Sequence, residues 1–180
     1  MPVRNSREAY GLVSKLLHWL IAVPVLALIP VGWYLGGLSE ESVLYWRLLE
    51  LHETLGISVF TLTLARIAWR GISPNPGFSS TLLPWERRAA SLIHGTLVAA
   101  LACIPVLGFL FVASDGEPVE LYGMVAIPPI GQWSKGVREI LFDLHGYAAY
   151  ACAILVAIHV LAALKHHFVD RRSSLRRIAF

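Results

Sequence analysis

Three stretches of this chain run for 20 residues or more without a single Asp, Glu, Lys or Arg: residues 16–35, 89–113 and 144–164. About 20 consecutive apolar residues are what an α-helix needs to cross the hydrocarbon core of a bilayer. A fourth stretch, 48–69, is less pure. Glu50, His52 and Glu53 enter at one end, Arg66 stands near the other, and only 54–65 is free of charge. Taken as a span, it completes a set of four that uses roughly half of the 180 residues at about 20 per crossing. Composition agrees: 56% of residues are hydrophobic and 15% charged, against about 25% charged in soluble domains. These figures exclude a water-exposed globule and a disordered tail, and they make the lipid bilayer, with no nucleic acid, the first partner.

The reading is therefore an all-α membrane protein, one domain over residues 1–180, with helices at about 12–35, 48–70, 88–113 and 141–165. Between them lie turn-forming segments: Gly36-Gly37, Ser73-Pro74-Asn75-Pro76-Gly77, Asp115-Gly116-Glu117-Pro118 and Pro128-Pro129. Residues 132–140 suggest a short interfacial helix. The first apolar run is longer than the 7–15-residue core of a signal peptide, no A-x-A-like site follows it, and His18 lies inside it, so it is expected to remain as a helix. Cys103 and Cys152 are too few for a disulfide scaffold or a cysteine-rich metal centre, and no Cys-x-x-Cys-His is present to attach a haem covalently. Both read as small packing residues.

Charge fixes the expected orientation. Twelve Lys and Arg fall in the N-terminal segment (Arg4, Arg7, Lys15), about the second connection (Arg66, Arg70, Arg87, Arg88) and in the tail (Lys165, Arg171, Arg172, Arg176, Arg177). Only Arg47, Lys135 and Arg138 fall on the other side. By the positive-inside rule both termini are cytoplasmic. The outer side then collects nine acids (Glu40, Glu41, Glu50, Glu53, Asp115, Glu117, Glu120, Glu139, Asp143) for a formal −6, while Glu8, Glu86 and Asp170 leave +9 inside. The inner arginines read first as orientation determinants and second as partners for haem propionates.

Five of the seven histidines, His18, His52, His94, His145 and His159, lie in or at the edge of spans, where ionisable groups are costly and tend to be functional. His145 and His159 are 14 residues apart, about 21 Å of helical rise and only about 40° short of four whole turns, so they share a face at two depths. Each needs a partner at its own level. His52, expected to open the second helix, matches His145 on the outer side. On the inner side His159 can be matched by His18 at the start of the first helix or by His94 in the third, and depth alone does not choose between them. Two stacked His/His pairs suit two b-type haems, because neutral imidazoles can fill both axial positions of an iron while the porphyrin buries against apolar side chains. Zinc would need clustered ligands, which a 21 Å spread excludes. Gly56 and Gly146 are candidate points of approach for a macrocycle. His166 and His167 read either as solvated tail residues or as a hydrogen-bond or proton donor to a quinone. A colourless transporter with a histidine proton relay is the reading furthest from haem.

Ser14-Lys15-Leu16-Leu17-His18-Trp19, Leu51-His52-Glu53-Thr54-Leu55-Gly56, Ile104-Pro105-Val106-Leu107-Gly108, and Leu144-His145-Gly146 through His159 to Lys165-His166-His167 together resemble the bacterial cytochrome b561 family. That family is related to the cytochrome b subunits of formate dehydrogenases and nickel–iron hydrogenases. The resemblance implies a four-helix bundle enclosing two haem b groups in the bacterial inner membrane, exchanging electrons with the quinone pool. It implies His52 and His145 as ligands of the outer haem iron and His18 and His159 of the inner one, with His94 lining the inner haem or a quinone pocket. Ubiquinone becomes the expected substrate, and superoxide, which some members oxidise, an expected donor. The acidic outer face instead suits a basic periplasmic redox partner, or a membrane-anchor subunit docked to a catalytic one. No residue is singled out as catalytic.

Overall fold

The computed structural model describes residues 2–77, 82–116, 118–171 and 175–179. Glu117 and Arg172, which enter the charge count, lie outside the described residues. The chain forms α1 (Leu12–Leu35), α2 (Val43–Ile72), α3 (Pro84–Ala113) and α4 (Lys135–Leu164), with a small antiparallel hairpin, β1 (Val119–Leu121) and β2 (Val125–Ile127), between α3 and α4. α4 runs on into a π-helical turn, Lys165–Val169, and a 3-10 turn follows at Leu175–Arg177. All four α-helices are long and apolar enough to span a membrane.

Three helices begin earlier than the expected 48, 88 and 141, two of them on visible caps. Ser42 caps α2 by accepting a hydrogen bond from Leu44 N, and Trp46 Nε1 donates to Glu40 O at 2.8 Å. At α3, Pro84 occupies the first turn and Glu86 Oε2 accepts from Leu83 N at 2.9 Å. α4 starts at Lys135 and absorbs most of the interfacial helix expected over 132–140. His52 is consequently nine residues into α2, about 13 Å along its axis, rather than at its first turn.

α1 packs along α2 and α3 along α4, and the two hairpins of helices join through α2 and α3. Ile21, Val25 and Val59 form the tightest core, with Leu101 from α3 and Val156 from α4 against it. Large apolar side chains such as Val23, Leu92 and Ile154 face outward, the inverse of a water-soluble bundle and the arrangement that lipid contact favours. Pro24, Pro30 and Pro105 sit inside helices, where neighbouring helices can partner the freed backbone groups. Of the two cysteines, Cys152 is buried as expected, whereas Cys103 is exposed on the outside of the bundle.

The bundle has a terminal end, where both chain termini lie, and a hairpin end. At the terminal end the segment before α1 closes the end of α2: Arg4 Nη2 donates to Ile72 O at 2.8 Å, and the buried Asn5 donates from Nδ2 to Pro74 O at 2.9 Å. The tail closes over α1, with Lys15 Nζ donating to Ala179 O at 2.5 Å and Trp19 Nε1 to Ile178 O at 3.1 Å.

At the hairpin end, Tyr122 and Gly123 form the β1–β2 turn, both at positive φ (54° and 59°), with Met124 N donating to Leu121 O at 3.0 Å. Turns of this kind favour Asn or Gly at such positions, so Tyr122 carries local strain. Its contacts compensate: its hydroxyl lies 2.6 Å from Ser58 Oγ and its amide donates to Thr54 Oγ1 at 3.3 Å, which ties the hairpin to α2. Tyr122→Phe is expected to loosen the hairpin by about 1 kcal/mol, the net value of one hydrogen bond. Hydrogen exchange of the 119–127 amides should rise several-fold while protection of the four helices is unchanged; unaltered hairpin exchange would show that the hydroxyl pair does not hold it.

Candidate functional site

Two groups of imidazoles gather at two levels of the bundle, partly buried except for the exposed His94. Toward the hairpin end, His52 of α2 and His145 of α4 face each other with ring centroids 6.1 Å apart and planes at 71°. Toward the terminal end, His94 of α3 meets His159 of α4 at 5.1 Å, also at 71°. His18 of α1 lies within electrostatic range of both His94 and His159, and its Nδ1 is 3.2 Å from Nη1 of Arg66 on α2. The structure thus brings His52 to His145, and draws His18, His94 and His159 into one cluster together with Arg66. The 14-residue spacing on α4 is what separates the two levels.

Glycines shape the first pair. Gly108 of α3 is so close to His145 that a Cβ built there would lie 3.0 Å from both Cε1 and Nδ1 of the ring. One turn earlier on the same helix, Ile104 O receives a hydrogen bond at 3.0 Å from His145 Nδ1. With its proton committed to that carbonyl, His145 keeps a lone pair on Nε2 for a ligand. Gly32 of α1 plays the corresponding steric part for His52, its would-be Cβ 3.0 Å from Cε1. His52 Nδ1 is buried and has no hydrogen-bond partner among the described residues. Leaving such an atom unmatched costs about 1–3 kcal/mol, so this ring is suited to a bound partner. Gly56 and Gly146, the candidate points of approach for a macrocycle, face open space, since a Cβ at either would meet nothing within 4 Å; the glycines packed against the imidazoles themselves are Gly32 and Gly108. In the sequence Gly108 stands out only within the Ile104–Gly108 motif, and Gly32 carries no signal.

The arrangement fits an iron held between two imidazoles. With metal–nitrogen bonds of about 2 Å on opposite sides, two ring centres stand about 6 Å apart, and the His52–His145 separation of 6.1 Å matches. Both pairs are edge-to-face by angle, and the His94–His159 separation falls about 1 Å short of that metal-bridged distance.

At the terminal end, His166 and His167 stand in the π-helical turn after α4, a backbone form that recurs at functional sites. His166 Nδ1 is 2.7 Å from Asp170 Oδ2, which also takes an ion pair from Lys165 at 2.9 Å. Lys165 reaches the buried Glu86 of α3 at 3.6 Å. His167 Nδ1 is buried without a hydrogen-bond partner among the described residues. This Glu86–Lys165–Asp170–His166 group links the ends of α3 and α4, and only its histidine was singled out from the sequence. Glu86 is invisible there because nothing in its neighbourhood distinguishes it from an ordinary helix-capping acid.

The profile of prokaryotic cytochrome b561 matches residues 9–180. The chain is 32% identical over 178 residues to cytochrome b561 homolog 2 of Escherichia coli (strain K12), covering 99% of this chain and 95% of that protein. It is 27% identical over 166 residues to cytochrome b561 homolog 1 of the same organism, covering 90% and 92%. It is 25% identical over 174 residues to a protein of Yersinia pestis named probable superoxide oxidase CybB, covering 95% and 96%. With four apolar helices and paired interior histidines, the chain belongs to the prokaryotic cytochrome b561 family, multi-pass membrane proteins that transfer electrons on haem b.

Proposed function

We propose that this protein is a di-haem b-type cytochrome of the bacterial inner membrane that passes electrons from a donor outside to the quinone pool. The observation that carries the reading is the His52–His145 pair, 6.1 Å apart, with one ring oriented by a backbone carbonyl and both rings backed by glycine. Bound at each level, haem b would supply reversible one-electron transfer. The chain's own residues supply ligation, orientation and field.

His52 and His145 hold one group, and Ile104 O fixes the tautomer of His145 that leaves Nε2 free to ligate. His18 and His159 hold the other. The shortness of the His94–His159 contact favours His94 as a packing neighbour of His159 over His94 as the opposing ligand. His18 Nδ1 now faces the Arg66 donor, which keeps the ring proton on Nε2. Were His18 to ligate through Nε2, its ring proton would sit on Nδ1 and the Arg66 guanidinium would be free to pair with a carboxylate, the group that a haem propionate would offer. His166, which contacts Asp170, and His167, with its unmatched buried nitrogen, would donate hydrogen bonds or protons to ubiquinone, whose reduction consumes two electrons and two protons. Both termini are then cytoplasmic, since that end gathers the cations.

Superoxide is the donor suggested by the name of the Yersinia relative. A second reading, docking of a basic redox partner or catalytic subunit at the hairpin end, is favoured by a specific observation: of the few cations there, Arg138 is paired with Asp115 and Lys135 with Glu139.

Reduced-minus-oxidised spectra with a pyridine haemochrome assay are expected to give two haem b per chain. His52→Ala and His145→Ala should remove the same haem, and His18→Ala and His159→Ala the other; loss of the second haem in His94→Ala with its retention in His18→Ala would reverse the ligand assignment. Gly108→Ala, which drives a methyl group against His145, should cut occupancy of the first haem and spare the second, and an unchanged spectrum would reject the proposed role of Gly108. For the donor, xanthine oxidase should drive ubiquinone reduction that superoxide dismutase abolishes. Reduction insensitive to dismutase would remove superoxide and leave the docking reading.

A further inference from the structure

The two imidazole groups stand in unequal electric surroundings. Arg66 projects from α2 into the space of His18, His94 and His159 and lies within electrostatic range of all three. Arg70, one turn further along α2, is exposed, yet lies within range of His94. A guanidinium keeps its charge throughout the physiological range and is expensive to hold at membrane depth. Orientation in the membrane needs only a cation at the end of the span, which Arg70 already provides. The position of Arg66, one turn deeper and against an imidazole, therefore calls for another account. Toward the hairpin end His52 has no such cation beside it among the described residues, only His145, and the acids Glu50, Glu53 and Glu120 stand within range of one another.

We infer that Arg66 makes the site of His18 and His159 the electron sink of this protein, so that an electron arriving at His52 and His145 runs toward the terminal end. The inference rests on the two-haem reading, with its direction from an outer donor to quinone, and adds to it the residue whose field sets that direction. A haem that accepts an electron loses one unit of positive charge. A fixed cation beside it favours that reduced state, the more strongly where little water screens the pair. One electron leaves the site at His52 and His145, which is oxidised, and enters the site at His18 and His159, which is reduced; no bond or proton changes hands in this step. The charge stays at the same end whether the guanidinium faces His18 or a haem carboxylate, so Arg66 acts as a positioning residue through its field and is not itself catalytic.

Potentiometric titration of the purified protein, followed by b-type absorbance, tests this. Arg66→Gln should lower the midpoint of the component that His159→Ala removes by at least a tenfold change in its reduction equilibrium, about 59 mV for a one-electron couple. The component that His52→Ala removes should stay in place. Arg66→Lys, which restores the charge, should return the midpoint close to the native value. An unmoved midpoint in Arg66→Gln, an equal fall in both components, or a fall that Arg66→Lys does not rescue overturns the inference. Where Arg66→Gln does not retain its haem, Arg70→Gln decides: a smaller fall confined to the same component supports the inference, and none overturns it. A native protein with no b-type absorbance, or with one haem per chain, overturns the two-haem reading itself, so the two failures are distinguishable.

Discussion

An imidazole inside a lipid-spanning helix must find a partner within the protein, because the bilayer core supplies neither water nor counterions. Much of the interior architecture follows from meeting that demand at two depths. α4 carries one histidine for each level, and each neighbouring helix contributes what its level needs. α3 brings Ile104 O as the acceptor for His145, with Gly108 removing the side chain that would bar the approach. α1 removes another side chain at Gly32 to admit His52, and α2 brings His52 itself at one level and Arg66 at the other. The residues that do most for the site are thus two glycines and a carbonyl, none of which has chemistry of its own.

The terminal end is held by a different device. Helix ends leave carbonyls unpaired, and basic side chains close them favourably. Arg4 closes the end of α2 from the N-terminal segment, while Lys15 and Trp19 draw the tail back across α1. Arg177 reaches Gly77 O at 2.8 Å and lies over the ring of Tyr10 at 5.7 Å. The basic residues that suggest a cytoplasmic side thus also fasten the two termini to the bundle. Individually such exposed contacts are worth little, since solvent screens them. The His166–Asp170 turn is tied to α3 separately, by Lys165 against the buried Glu86 at 3.6 Å.

What the sequence disclosed, and what it withheld, divides along the range of the interactions. The four spans were legible because lipid contact demands long charge-free runs, and the histidine levels because 14 residues on one helix convert directly into rise and rotation. Helix starts were less so: Ser42 and Glu86 extend α2 and α3 past the apolar segments through polar caps, which hydropathy does not register. The hairpin was missed because its turn is Tyr122-Gly123, without the Asn-Gly or Asp-Gly signal, and is stabilised instead by Thr54 and Ser58 on a distant helix. Gly32 and Gly108 escaped for a related reason. A glycine announces a close approach only when the residue that approaches it is known, and here each partner lies on another helix.

The charges at the hairpin end bear on the donor. A net of −6 by sequence would slow an anion unless local cations focus it, and three basic residues are available to do so. Arg138 is engaged by Asp115 at 2.5 Å and lies over the Phe111 ring at 6.0 Å, so its field at the surface is largely cancelled. Lys135 shares Glu139 at 3.7 Å, a fully solvated pair that screens itself only in part. Among the described residues that leaves Arg47, exposed on α2, as the remaining cation of that end. A basic protein would meet the opposite situation, since Glu40, Glu41 and Glu120 add at long range and need no single focusing point. The two donors therefore make opposite demands on the same surface: steering of an anion depends on one local side chain, whereas docking of a cationic partner draws on the whole face and weakens with salt over a Debye length of about 8–10 Å.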